Sequence, residues 1–315
     1  MENKRQHFVP RSYLAGFVDP TTQRGHEPYL WVYERGQAEP YARAPKKVAI
    51  RSYYYSFATP SGKRDDVEKL LASLETSGIP VLRALVKGRN PADLSDAERR
   101  SFSFFVGMLD VRVPSFRHTI ESFAARLIRD AILVEAQHPE YFERKMQEAH
   151  AAKDLIPPDD LEALREFVLS GEYTIQVDPL LSLQSLIKLA PTVAEYVYAY
   201  QWRVLEAPPD AAFITSDCPL VKVSTKKLPP PYGWGTGWET PWMEATLPLT
   251  TQHCLLLSQH HPGGREPIAP HTVEEVNWRT AALANNEVYS SKQIAPEVLN
   301  RSHGWEWWKP LTDVQ

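Results

Sequence analysis

Asp65-Asp66-Val67-Glu68-Lys69-Leu70-Leu71-Ala72-Ser73-Leu74-Glu75 is where the chain changes its period. The acidic start suits the positive end of a helix dipole. Val67, Leu70, Leu71, Leu74 and Val81 then recur at helical spacing. Gly78 and Pro80 are expected to interrupt or bend this helix. Upstream the apolar runs are short, aromatic and β-branched. Leu30-Trp31-Val32-Tyr33, Lys47-Val48-Ala49-Ile50 and Tyr53-Tyr54-Tyr55-Ser56-Phe57 lie between turn residues and predict strands.

Downstream the helical period persists. Ser95 and Glu98 form a capping box, and Phe102, Phe105, Val106 and Leu109 follow as an apolar stripe. Pro114 divides that stripe from residues 115–137, 139–152 and 159–169, which read as amphipathic helices. The alternating charges of 140–153 predict a solvated helical hairpin. Leu180 to Tyr200 is helical around a central Pro191. Strand signals return at Trp202–Glu206, Ala212–Thr215, Leu220–Val223, Cys254–Leu257 and Val288–Ser291. Thr272 to Asn286 reads as one more helix, with Thr272 as N-cap and Glu275 completing a capping box.

This order, strands then helices then strands, predicts an α+β fold. The sheet is expected to be built from the N- and C-terminal segments, with a mainly helical middle. Residues 64–200 form that middle, inserted between strand-rich ends 1–63 and 201–292 of a single domain spanning 1–315. Residues 293–315 are a Trp-rich tail. Residues 226–244 read as a long loop holding Trp234, Trp238 and Trp242.

Composition narrows the function classes. Hydrophobic residues are 43% and charged residues 23% of the 315, which disfavours disorder and fibrous repeats. Lys plus Arg number 35 and Asp plus Glu 39, so a net charge of −4 gives no global footprint for nucleic acid. The N-terminal residues lack a signal-peptide core and no apolar run would span a membrane, so a cytoplasmic protein is expected. The two cysteines, Cys218 and Cys254, fit no zinc spacing and are expected to be buried thiols.

General catalytic motifs are missing. Ser61-Gly62-Lys63 lacks the upstream glycine of a phosphate-binding loop, and there is no G-x-S-x-G or H-E-x-x-H. Asp217 is followed by Cys-Pro-Leu-Val-Lys222, without the acidic-x-Lys couplet of a PD-(D/E)xK nuclease. His260 and His261 are adjacent in a Pro-Gly-Gly loop and make a poor ligand pair.

Gln6-His7-Phe8-Val9-Pro10-Arg11-Ser12-Tyr13-Leu14-Ala15-Gly16-Phe17 resembles the N-terminal signature of the DUF4238 family, bacterial proteins of unknown function. That signature reads roughly Q-H-[YF]-[VI]-P-x-x-Y-L-x-x-F. Further matches follow in order. They are Trp31-Val32-Tyr33, the helix with Glu68 and Glu75, Val111-Arg112-Val113-Pro114, Phe213 to Pro219, Leu247-Pro248-Leu249 and Val276-Asn277. Cys218 stands where the family usually has Asn. The resemblance covers about residues 4 to 292 and supplies no activity.

Residue chemistry supplies the site expectations. His7 is a candidate general base, or else an anchor bonded to a backbone carbonyl. Glu68 and Glu75, seven apart, lie on one helix face and are candidate metal ligands, unless Glu75 simply pairs with Arg112. Asp217, closing a strand, is a candidate catalytic residue and metal ligand; its plainer role is a turn before Pro219 or a cap. Arg112, Arg117 and Asn277 are candidate substrate-binding groups, the arginines for phosphate oxygens. Converging, these residues would suit Mg²⁺ or Mn²⁺ and metal-assisted hydrolysis of a phosphodiester, as in a nuclease. The competing reading is a non-catalytic binding protein whose polar residues are structural. There the Trp-rich 232–244 loop would meet a protein partner. A third is nucleic-acid binding without cleavage through Arg99, Arg100, Arg112 and Arg117.

Overall fold

The computed structural model describes residues 5–59, 62–64, 66–152, 160–226 and 236–294. In chain order the N-terminal elements are β1 (Arg5–His7), α1 (Arg11–Leu14), β2 (Leu30–Glu34), β3 (Tyr41–Arg43), β4 (Ile50–Ser52), β5 (Phe57–Thr59) and β6 (Gly62–Arg64). The helical middle is α2 (Asp66–Val86), α3 (Asp96–Val111), α4 (Pro114–Ala136), α5 (Pro139–Ala152), α6 (Leu161–Ser170) and α7 (Pro179–Ala199). The chain then forms β7 (Gln201–Glu206), β8 (Thr215–Ser216), β9 (Val221–Ser224), β10 (Met243–Pro248), β11 (His253–Ser258), β12 (Gly264–Pro267), α8 (Pro270–Ala282) and β13 (Glu287–Ser290).

The fold is α+β, and both chain ends share a sheet. Four strands run in the order β3-β2-β13-β8, so Leu30–Glu34 pairs antiparallel with Glu287–Ser290 across most of the chain. A five-stranded sheet, β12-β7-β11-β10-β9, comes from the C-terminal part alone and is antiparallel except where β12 joins β7. Helix α8 ties the two sheets together. Its Val273 and Val276 pack with Leu205, Cys254 and Leu256 of the larger sheet. One turn on, Ala281 packs with Tyr33 and Val288 of the smaller one.

Two compact units divide the chain, one comprising 1–116 and 186–315 and the other 117–185. In the first, α2 crosses α3 closely enough that a Cβ on Gly78 would lie 2.4 Å from Phe105. Gly78 therefore sets the approach rather than breaking the helix, and α2 runs unbroken through Pro80. Phe102 stacks on Phe105 and meets Trp202 edge-on, joining α3 to β7. The second unit holds α4 from Arg117 on, α5, α6 and the start of α7, and Arg144 and Lys145 both pair with Glu148 there.

The capping box at Ser95 and Glu98 is formed as the sequence predicts. Several boundaries differ: the strand expected over Lys47–Ile50 is mostly a turn, with Ala49 left-handed at φ 51° and β4 starting only at Ile50, and α8 ends at Ala282 rather than Asn286. Tyr53-Tyr54-Tyr55 is a turn, because Tyr53 is left-handed at φ 53° and takes the chain out of strand geometry. The strand expected over 212–215 shrinks to Thr215–Ser216, since residues 212 and 214 bond a helix side chain instead of a neighbouring strand. Helix α8 starts at Pro270, whose missing N–H suits a first turn, so Ala269 and not Thr272 is the N-cap.

Candidate functional site

Strand β1 pairs antiparallel with β4, so Gln6 and His7 point to opposite faces. Gln6 is buried. Its amide oxygen accepts from the Tyr55 N–H at 2.6 Å, and its nitrogen donates to Ser56 Oγ at 3.1 Å and Glu68 Oε2 at 2.7 Å. A few residues on, the buried Tyr13 hydroxyl reaches Thr215 Oγ1 at 2.8 Å and the Pro248 carbonyl at 2.6 Å. The N-terminal segment is thus held at both ends by side chains it supplies itself.

A hollow of about 160 Å³ is lined by His7, Arg11, Tyr55, Glu68, Leu71, Ala72, Glu75 and Arg112. Glu68, Leu71, Ala72 and Glu75 come from one face of α2, as their spacing requires. Arg112 caps the C-terminus of α3 and is 3% exposed. Its guanidinium donates to Glu75 Oε1 at 2.9 Å, to the His7 carbonyl at 2.7 Å and to the Tyr55 hydroxyl at 3.3 Å. A buried charge tolerates such a place only with partners of this kind.

His7 differs from its neighbours. Its Nε2 is buried and meets no hydrogen-bond partner among the described residues. Burial, the largest influence, lowers the pKa of the imidazole; the Pro45 carbonyl pulls against it, and the charge of Arg112 adds to the lowering. The ring is therefore neutral at pH 7.

Asp217 is elsewhere. It lines a separate hollow of about 170 Å³ beside Phe8, Ala49, Pro114 and Asn286. Its carboxylate accepts from three backbone amides, Asn285 at 2.8 Å, Asn286 at 2.7 Å and Glu287 at 3.1 Å. Burial pushes its pKa up to about 6, with the three amides opposing. The turn before Pro219 belongs to Ser216, whose hydroxyl bonds both the N–H and the carbonyl of Cys218. Asp217 instead clamps the entry to β13.

Asn277 is also engaged. From α8 it accepts the Ile214 N–H at 2.9 Å and donates to the Ala212 carbonyl at 2.8 Å, standing in for a strand partner. Arg117 belongs to the second unit, where it donates to Glu121 at 2.9 Å. The structure thus brings His7, Glu68, Glu75 and Arg112 to one hollow and places Asp217 and Asn277 apart from it within the same unit. Among the described residues no group of three or more His, Cys, Asp or Glu side chains is arranged to hold a metal ion. The expected Mg²⁺ or Mn²⁺ set of Glu68, Glu75 and Asp217 is not assembled, because Asp217 faces backbone amides.

The other expectations place as follows. Arg99 stacks over Trp202 and donates to the carbonyls of Tyr198 and Tyr200, meeting the negative end of α7, while Arg100 pairs with Asp96 at 2.8 Å. Trp238 is buried and its indole donates to Asp110 at 2.8 Å, while Trp242 is exposed and stacks on His260. Trp234 and the tail tryptophans Trp305, Trp307 and Trp308 lie outside the described residues. Both cysteines are buried free thiols, and burial pushes that of Cys218 up to about 12. Among the described residues no helix is long and apolar enough to cross a membrane.

Sequence reading missed Gln6, Tyr13, Tyr55 and Arg11. Gln6 and Tyr13 sit in the same signature as His7, and a buried Gln or Tyr at a chain end requires partners, which was the available signal. A family model described as "Protein of unknown function (DUF4238)" matches residues 5–293. No curated protein and no solved structure matches the chain.

Proposed function

The chain belongs to the DUF4238 family of proteins of unknown function, and from its geometry we propose that it acts by binding a small polar ligand in the His7 hollow. One observation carries this reading. His7 lines a hollow in which Arg112 pairs with Glu75 and Glu68 accepts from Gln6, while its own Nε2 is buried and has no partner among the described residues. A buried acceptor of this kind is costly unless something donates to it. The lowered pKa keeps the ring neutral and able to accept. The volume, about 160 Å³, is below the ~300 Å³ of drug-sized pockets. It suits a small hydrogen-bond donor, or one group of a larger molecule.

The test is an NMR titration of the His7 ring with small neutral donors, primary amides and alcohols first. A saturable shift of the His7 resonances, with none at His118 or His271, is expected. A panel that leaves the His7 ring unmoved defeats the reading. Hydrolysis is the second reading, in a metal-independent form with neutral His7 as base, since its ring nitrogen is unengaged. That version expects turnover of an activated phosphodiester in EDTA, lost in His7→Ala.

A further inference from the structure

One stretch of the first unit departs from the charge balance of the chain. From Pro40 to Arg64 there are six basic residues and no acidic one, in a protein whose net charge is −4. Arg43, Lys46, Lys47 and Arg51, presented by β3, the turn at 45–47 and β4, are exposed. Lys46 is already paired, with Glu27 at 2.5 Å. Among the described residues no carboxylate pairs with Arg43, Lys47 or Arg51, although Glu27 feels the charge of Lys47 and Glu287 that of Arg43.

These three cations gather at one place. Lys47 and Arg51 line the same hollow of about 170 Å³, and Glu287, which feels Arg43, is part of its wall. The acidic members of that wall are bonded within the protein, Asp217 to three backbone amides and Glu287 to the Tyr289 hydroxyl and the Ala49 N–H. Clustered exposed cations attract phosphates. The arginines add a plane. The Arg43 guanidinium lies 5.1 Å from the centroid of the Tyr41 ring, and that of Arg51 lies 5.8 Å from that of Tyr54. A ring beneath a guanidinium orients it, and an exposed guanidinium offers its outer face to a base. Bases inside a duplex have no such face to give, so the match is to a single strand. A membrane surface would call for apolar side chains that insert beside the cations. Among the described residues none of the large exposed apolar side chains lies between 40 and 56.

We propose that the face carrying Arg43, Lys47 and Arg51 binds single-stranded nucleic acid, with phosphates at the three cations and bases stacked on the two arginine planes. The inference goes beyond ligand binding at His7 and does not depend on it. Arg99, Arg100, Arg112 and Arg117 take no part, since each is bonded to protein groups.

Fluorescence anisotropy of a labelled oligothymidylate, about 15 nucleotides long, tests this on the full chain. Saturable binding is expected, with log Kobs falling against log salt at a slope of about −2 for three phosphate contacts. Lys47→Ala should flatten the slope by about 0.7, and Arg43→Ala, Lys47→Ala and Arg51→Ala together should abolish binding. Arg51→Lys keeps the charge and removes the plane, so it should keep the slope and weaken binding about fivefold. Lys145→Ala, in the second unit, should change neither. Circular dichroism checks that each variant still folds, which exposed positions permit. A chain that binds no strand at low salt overturns the proposal, as does a triple variant that binds like wild type. So does an Arg51→Lys variant that binds as tightly as wild type, or displacement of the strand by polyglutamate or phosphatidylserine vesicles at equal charge, either of which assigns the face to another polyanion.

Discussion

The two units treat their side chains in opposite ways. In the first, polar groups far apart in sequence are drawn inside and bonded. Asp217 holds three amides, Asn277 bridges two backbone groups and Arg112 joins α2, α3 and the β1 segment. In the second, most charged side chains pair within one helical turn, with Glu121, Arg129 and Arg165 also reaching groups on other helices or loops, and large apolar side chains stay exposed beside them. A buried polar network fixes one arrangement because each member fails without the others. An exposed apolar helix face fixes nothing until something covers it. Specificity of fold therefore resides in the first unit.

The contrast is broken most severely at Arg112. Arg112→Ala removes the guanidinium that joins Glu75, the Tyr55 hydroxyl and the His7 carbonyl, and should cost about 4 kcal/mol in urea unfolding. Asp217→Ala leaves three buried amides without an acceptor and should cost about 3 kcal/mol, with early loss of hydrogen-exchange protection at Asn285, Asn286 and Glu287. Asn277→Ala exposes two backbone groups and should cost about 2 kcal/mol by the same measurement.

Titration sharpens the picture within the first unit. The folded pKa of His7 is lowered, so its contribution is present above the ordinary value near 6.5 and is lost as pH falls through the folded value. Asp217 works the other way. With a folded pKa raised to about 6, its contribution is full below the ordinary carboxyl range and is lost as pH rises through 6. The two slopes have opposite signs, that of His7 lying below 6.5 and that of Asp217 between about 4 and 6. His7→Gln should remove the first and leave stability falling as pH rises across that window, read from urea midpoints at several pH values. The smallest effect belongs to the second unit. Leu127→Glu should change the unfolding free energy by less than ~0.5 kcal/mol, because its side chain already faces water.

How much of this the sequence disclosed depends on the range of each interaction. The Ser95–Glu98 cap spans three residues, and the strand at Leu30 and helix at Asp66 announce themselves by period, so all three were readable. Sharing of a helix face by Glu68 and Glu75 was readable for the same reason. Asp217 was recognisable as a residue with a task, but its partners begin 68 positions away, and no local pattern encodes that distance. The tyrosine run at 53–55 misled because strand preference is a property of side chains, while the left-handed backbone of Tyr53 is decided by the turn. Arg112 pointed to phosphate by its chemistry and found a carboxylate, a carbonyl and a phenol instead.

The central claim, that Asp217 serves the first unit as a hydrogen-bond clamp on the entry to β13, is tested most directly by thermal unfolding. Wild type, His7→Ala and Asp217→Ala would be melted in EDTA and then with Mg²⁺, Mn²⁺ and Zn²⁺. A ligand that binds only the native state raises stability by RT ln(1 + [L]/Kd), whether or not its substrate is known. The account predicts no saturable, ion-specific rise in any of the three, with Asp217→Ala melting earlier throughout. A saturable rise with one ion in wild type, absent from both variants, would contradict it and put a metal where this account puts hydrogen bonds.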